Sequence, residues 1–154
     1  MARMVKGTSE FRRCYKPSDF GNVTYRELHH FGDASSTSYR APSYLYQKDE
    51  CGNVCGTLVT AKSRLAPVKT QTIPRLELQS AILASRLDRI IREELHEIKI
   101  DRTVCWTDST CVLRYLNNEE TRSKTFVGNR VTAILNQTTK EQWRHVSSAQ
   151  IQPI

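Results

Sequence analysis

No stretch of this 154-residue chain is apolar over anything near the ~18 residues a membrane-spanning helix needs, so a membrane is not among the partners the sequence suggests. The opening residues, MARMVKGTSEFRRCYKPSDF, carry early basic side chains with no apolar stretch behind them and do not read as a secretory signal. Internal repeats and low-complexity tracts are absent, which argues against a repeat array or a disordered linker. A second Cys/His pair at a matching spacing is also missing. Cys51 and Cys55 in DECGNVCGT have the look of half a zinc site, but zinc takes about four ligands, and without a matching pair CGN reads better as a hairpin turn. Acid is in short supply: 23 Lys and Arg stand against 16 Asp and Glu, a net charge of +7, and this favours a polyanionic partner.

What is there suits one globular domain, with 38% hydrophobic and 25% charged residues. The five cysteines are an odd number, and Cys105 and Cys111 lie in apolar segments where a reduced, packed thiol is expected. A reducing compartment follows, the cytoplasm with access to the nucleus.

Residues 1–24 are polar, punctuated by Pro17 and Gly21, and read as a tail or the remnant of a preceding segment; residues 25–154 read as the domain. Strand character runs over 25–33 and again over 37–46, where Pro42 implies an edge or a bulge because proline donates no ladder hydrogen bond. VCGTLVTAKS gives a third strand, so an antiparallel meander is expected. Leu76, Leu83, Leu87, Ile90, Ile91, Leu95 and Ile98 recur at helical spacing and predict a long amphipathic helix over 74–97, with Thr72 as N-cap and Pro74 in the first turn. A short buried strand at 103–108 follows, then a helix that Ser109 can cap, a helix at 125–137 and a last strand in QWRHVSS. The fold class is α/β, a mixed sheet with packed helices. Trp106, Trp143 and Phe126 are expected in the core.

Three acids fall at element ends: Asp33 closes the first strand, Glu77 lies in the first turn of the long helix, and Asp108 ends the fourth strand. Each alone is ordinary, since a helix-start Glu serves the dipole and an Asp after a strand turns the chain. Together, on one side of a sheet, they can converge, and converging carboxylates repel unless cations join them. Basic residues surround them in the sequence: Lys62, Arg64, Lys69 and Arg75 lead into the Glu77 helix, and Arg122, Lys124 and Arg130 form a second cluster.

The segments FGDASSTSY, AKSRLAPVKTQTIPRLEL, CWTDSTCVL, KTFVGNRV and QWRHV occur in this order. Together they resemble the ribonuclease H domain of BEL/Pao-type retrotransposon polyproteins. The resemblance implies a ribonuclease H-like fold with a five-stranded mixed sheet and flanking helices. It implies that Asp33, Glu77 and Asp108 hold Mg2+ or Mn2+, two ions in the family, over a scissile phosphate. The implied activity is hydrolysis of the RNA strand of an RNA–DNA hybrid, with reverse transcriptase and integrase segments as neighbours in a full polyprotein. Ser35, Ser36, Ser109, Lys62, Arg64, Lys69 and Arg75 are the candidate nucleic-acid contacts, against capping, turn and solvated-loop roles for the same residues.

The match breaks in places. The family has a fourth carboxylate shortly after the last strand, at the start of a final helix, and no aspartate follows Asp108 here. Glu119, Glu120 and Glu141 are poorly placed to replace it, and Pro153 reads as the remnant of the motif. Impaired cleavage is therefore expected, with one ion or none, and the alternative is a non-catalytic nucleic-acid-binding remnant of the same fold. Arg40 and Pro42 stand where the family has a glycine and a small residue. Gly32 replaces a residue more often Cys or Ser, a change expected to matter little.

Overall fold

The computed structural model describes residues 17–69, 71–118 and 125–150. Three long strands come first: β1 Val23–Ala34, β2 Ser38–Asp49 and β3 Val54–Leu65. Then follow α1 Ile73–Glu94, β4 Arg102–Thr107, α2 Thr110–Asn117, α3 Thr125–Leu135 and the short β5 Trp143–His145. This is the expected element order. Val23 starts β1 ahead of the boundary placed after residue 24. Just before it, the Gly21 N–H donates to the Asp49 carboxylate and the Asn22 carbonyl accepts from Glu50 N–H.

The five strands form one sheet in the order β3-β2-β1-β4-β5. The first three pair antiparallel, whereas β4 runs parallel to both β1 and β5. The β2–β3 turn confirms the hairpin reading of CGN. The Asp49 carboxylate accepts from the N–H groups of Cys51 and Asn53, and Gly52 takes φ 86°, the left-handed region that favours glycine. Cys51, Cys55, Cys105 and Cys111 carry free thiols. Pro42 lies in an interior strand and not at an edge. The irregularity it implied is met by a register shift beside it, where Ser43 faces Thr60 and Tyr44 faces Leu58, leaving Val59 as the extra residue of β3.

One face of the sheet is covered by the helices. Leu28, Leu45, Leu83, Leu87, Ile91, Val112, Leu116, Val131, Ile134 and Trp143 belong to a single buried cluster. The periodic apolar positions of α1 point inward except Ile90, which is 41% exposed. The small residues Ser80, Ala81, Ala84 and Ser85 are buried along the same helix.

The other face differs from expectation at Trp106. This residue is only half-buried and stacks between His29 and Phe31, and its indole N–H donates to His29 Nδ1 at 2.9 Å. Strand alternation is the cause: Trp106 pairs with Phe31, so both project away from the face that carries Leu28 and His30.

Between α1 and the sheet lies a buried polar network. His30 is fully buried; its Nδ1 meets Ser43 Oγ at 2.7 Å and its Nε2 meets Asp88 Oδ1 at 3.0 Å. Thr103 Oγ1 and Arg92 Nε also donate to Asp88. Burial alone pushes the Asp88 carboxyl up, but the hydrogen bonds and charges of His30, Thr103 and Arg92 outweigh it and hold the group below the usual carboxylate range. A depressed folded-state pKa stabilises the fold above the unfolded value of about 4, and that stabilisation is lost as pH falls through the folded value. Asp88→Ala should cost about 3 kcal/mol in a urea titration at pH 7, because it leaves His30 Nε2 and the Thr103 hydroxyl without their carboxylate acceptor. Asp88→Asn should flatten the loss of melting temperature between pH 5 and strong acid that the unsubstituted protein shows.

Candidate metal and nucleic-acid site

Chain direction sets the site. Since β4 runs parallel to β1 and pairs Gly32 with Thr107, the C-terminal ends of both strands lie side by side. Asp33 is the next residue of β1, and Asp108 is the first residue past β4, in a bend and not in the strand itself. Helix α1 starts after β3, whose C-terminal end lies at that same edge, because β3 runs antiparallel to β2 and β2 antiparallel to β1. The α1 start is therefore delivered there too. Thr72 is the N-cap, as expected, through its carbonyl, which accepts from Arg75 and Leu76 N–H; its side chain makes no capping bond. Glu77 is one step deeper than expected. Because α1 begins at Ile73, its first turn holds no acid and Glu77 opens the second.

Glu77 senses the other two acids. Burial is the largest influence raising its carboxyl pKa, and the charges of Asp108 and Asp33 raise it further, while the hydrogen bond from Ser109 opposes them. At Gly32 helix and strand lie close together: a Cβ added there would stand 3.2 Å from Ser80 Oγ on α1.

Asp33 and Glu77 are held by protein partners. Asp33 Oδ2 accepts from Arg40 Nε at 2.9 Å and lies 2.9 Å from a second guanidinium nitrogen, Nη2. Glu77 Oε2 accepts the Ser109 hydroxyl proton. In this arrangement no three His, Cys, Asp or Glu side chains among the described residues form a cluster able to hold a cation. The donor chemistry nevertheless fits a hard divalent ion, because all three groups are carboxylates and two of them add their charge to the third.

The serines serve the chain locally. Ser109 caps α2, its Oγ accepting from Val112 N–H at 3.1 Å while donating to Glu77. Ser35 Oγ accepts from the N–H groups of Thr37 and Ser38 and so closes the β1–β2 turn. Ser36 is exposed beside it. Lys62, Arg64 and Lys69 are exposed, the first two on the C-terminal half of β3 at the same end of the sheet as Asp33. Arg75 is exposed and lies 4.3 Å over the Phe126 ring, with Arg130 at 3.5 Å over the same ring. Phe126 is half-buried: it packs against the core cluster and also carries the two guanidiniums on its ring. Glu119, Glu120, Arg122, Lys124 and Pro153 lie outside the described residues. The contact of Arg40 with Asp33 was not anticipated from the sequence, where the only signal was that Arg40 departs from the family pattern.

A mixed sheet in the order β3-β2-β1-β4-β5, with helices on one face and acids at the ends of β1 and β4 and near the start of α1, defines a ribonuclease H-like domain. The profile of the family described as Pao retrotransposon-like RNaseH-like domain matches residues 2–109, and the chain belongs to that family. No curated protein matches it in sequence. Among solved structures, ribonuclease H1 from the archaeon Halobacterium salinarum NRC-1 is 14% identical, with 84% of this chain and 89% of that one covered at a TM-score of 0.44. LC11-RNase H1 in complex with an RNA/DNA hybrid is 12% identical, with 81% and 87% covered and a TM-score of 0.45. A Ppx/GppA family member from Aquifex aeolicus is 11% identical, with 82% of this chain and 36% of that one covered and a TM-score of 0.42.

Ser109→Ala should lower stability by about 1 kcal/mol in a urea melt through loss of the cap. Ser36→Ala should stay within about 0.5 kcal/mol of the unsubstituted protein, as befits an exposed turn position.

Proposed function

We propose that this Pao-family domain binds RNA–DNA hybrid and holds divalent magnesium or manganese between Asp33, Glu77 and Asp108. The observation that carries this reading is the placement of three carboxylates at one end of the sheet, where burial and then the charges of Asp108 and Asp33 raise the pKa of Glu77. Divalent ions bound there would supply an activated water and charge stabilisation at a scissile phosphate. The chain's own residues have distinct tasks. Asp33 and Asp108 present oxygens from two adjacent strand ends, and Glu77 presents one from the helix that packs across them. The Ser109 hydroxyl orients Glu77. Lys62 and Arg64 meet the nucleic-acid backbone from the β3 edge, and specificity for RNA comes from 2′-hydroxyl contacts. A second reading is a binding module of the same fold without cleavage, and the Arg40 guanidinium that occupies Asp33 Oδ2 favours it.

Titration calorimetry with magnesium should show binding that Asp33→Asn abolishes, and a labelled RNA–DNA hybrid should be bound and cut. Binding without any cleavage would select the second reading; binding that Asp33→Asn leaves intact would refute the site. The double substitution Lys62→Ala with Arg64→Ala should weaken hybrid binding and reduce the slope of log affinity against log salt by about one to two. An unchanged slope would show that these side chains do not meet phosphate.

A further inference from the structure

Arg40 is the residue that neither the fold nor the proposed activity calls for. It lies directly across from Asp33 in the antiparallel β1–β2 ladder, so strand pairing fixes its backbone opposite the acid. Its guanidinium makes two 2.9 Å contacts to one carboxylate oxygen, Oδ2. Neither partner is sealed away: the Arg40 side chain is 40% exposed and that of Asp33 26%. Pair exchange with solvent species is therefore open, and a partly exposed ion pair of this kind is worth only a small stabilisation.

A guanidinium and a divalent cation cannot share Oδ2 without strong repulsion. We infer that Arg40 is an exchangeable counter-ion, which holds Asp33 until a divalent cation displaces it and which then takes a phosphate of the nucleic-acid backbone. The inference rests on the metal-site reading given above. It assigns Arg40 a role in coupling the two ligands. The planar guanidinium fork suits phosphate as well as carboxylate, so the group released from Asp33 has a partner of the same geometry on the incoming strand. Cation and backbone each remove a competitor of the other, and linkage makes that help reciprocal. A purely structural cross-strand pair would give no such coupling.

The exchange predicts opposite signs for one substitution. Arg40→Ala should tighten manganese binding, read by calorimetry without nucleic acid, about fivefold, the equivalent of ~1 kcal/mol. The same substitution should weaken binding of a short RNA–DNA hybrid in calcium, read by fluorescence anisotropy, several-fold, and reduce the salt slope by about one. Arg40→Lys should stay near the unsubstituted protein in manganese affinity and fall between the two in hybrid affinity. It also serves as the folded comparison, with circular dichroism run on each variant. Weaker manganese binding in Arg40→Ala would mean that Arg40 positions Asp33 and does not compete for it. Unchanged manganese and hybrid affinities would mean that the pair is structural. Either result, with manganese binding still lost in Asp33→Asn, overturns the exchange alone. Manganese binding that survives Asp33→Asn overturns the metal site itself and the exchange with it.

Discussion

The parallel pairing of β1 with β4 is the constraint on which the rest depends. It runs from Glu27 opposite Arg102 to Gly32 opposite Thr107, and it brings the chain ends at Asp33 and Asp108 to the same edge of the sheet. Parallel neighbours need a crossover, and here α1 makes it, running back from that edge across the sheet. The helix that the topology demands is thus also the element that delivers the third acid. Burial first, and then the charges of Asp108 and Asp33, raise the Glu77 carboxyl; the Ser109 hydroxyl opposes them, and the Arg40 guanidinium pairs with Asp33.

The network around His30 anchors the same pairing from beneath. His30 belongs to β1, Ser43 to β2, Asp88 and Arg92 to α1, and Thr103 to β4, so one set of hydrogen bonds joins three adjacent strands to the crossover helix. Nearer the site, α1 and β1 lie close together at Gly32. Ser109 links the start of α2 to α1 through Glu77. Stability and site geometry are in this way carried by overlapping contacts, with the apolar cluster around Leu28, Leu87 and Ile91 beneath both.

Much of this was legible in the sequence, for identifiable reasons. Period-two and period-3.6 patterns are local, so the element order could be read, and the Thr72 and Pro74 punctuation placed the α1 start to within a residue. The three acids were visible because each stands at an element end, and their motifs carried the family. The contacts that join distant positions were not legible. His30 and Asp88 are 58 positions apart, and nothing local marks a histidine as the partner of a particular helix residue. Trp106 was assigned to the core because a tryptophan in a buried strand usually packs there. Which sheet face it took depended on its register with Phe31, which only the pairing defines. Arg40 looked like a strained departure from the family until its cross-strand partner was known to be Asp33.

The central claim is that Asp33, Glu77 and Asp108 form one divalent-cation site. Anomalous diffraction from crystals grown with manganese tests it most directly. The account predicts a manganese peak bounded by those three carboxylates, with the Arg40 guanidinium moved off Asp33. A well-ordered site with no peak, or a peak ligated by other residues, would contradict it.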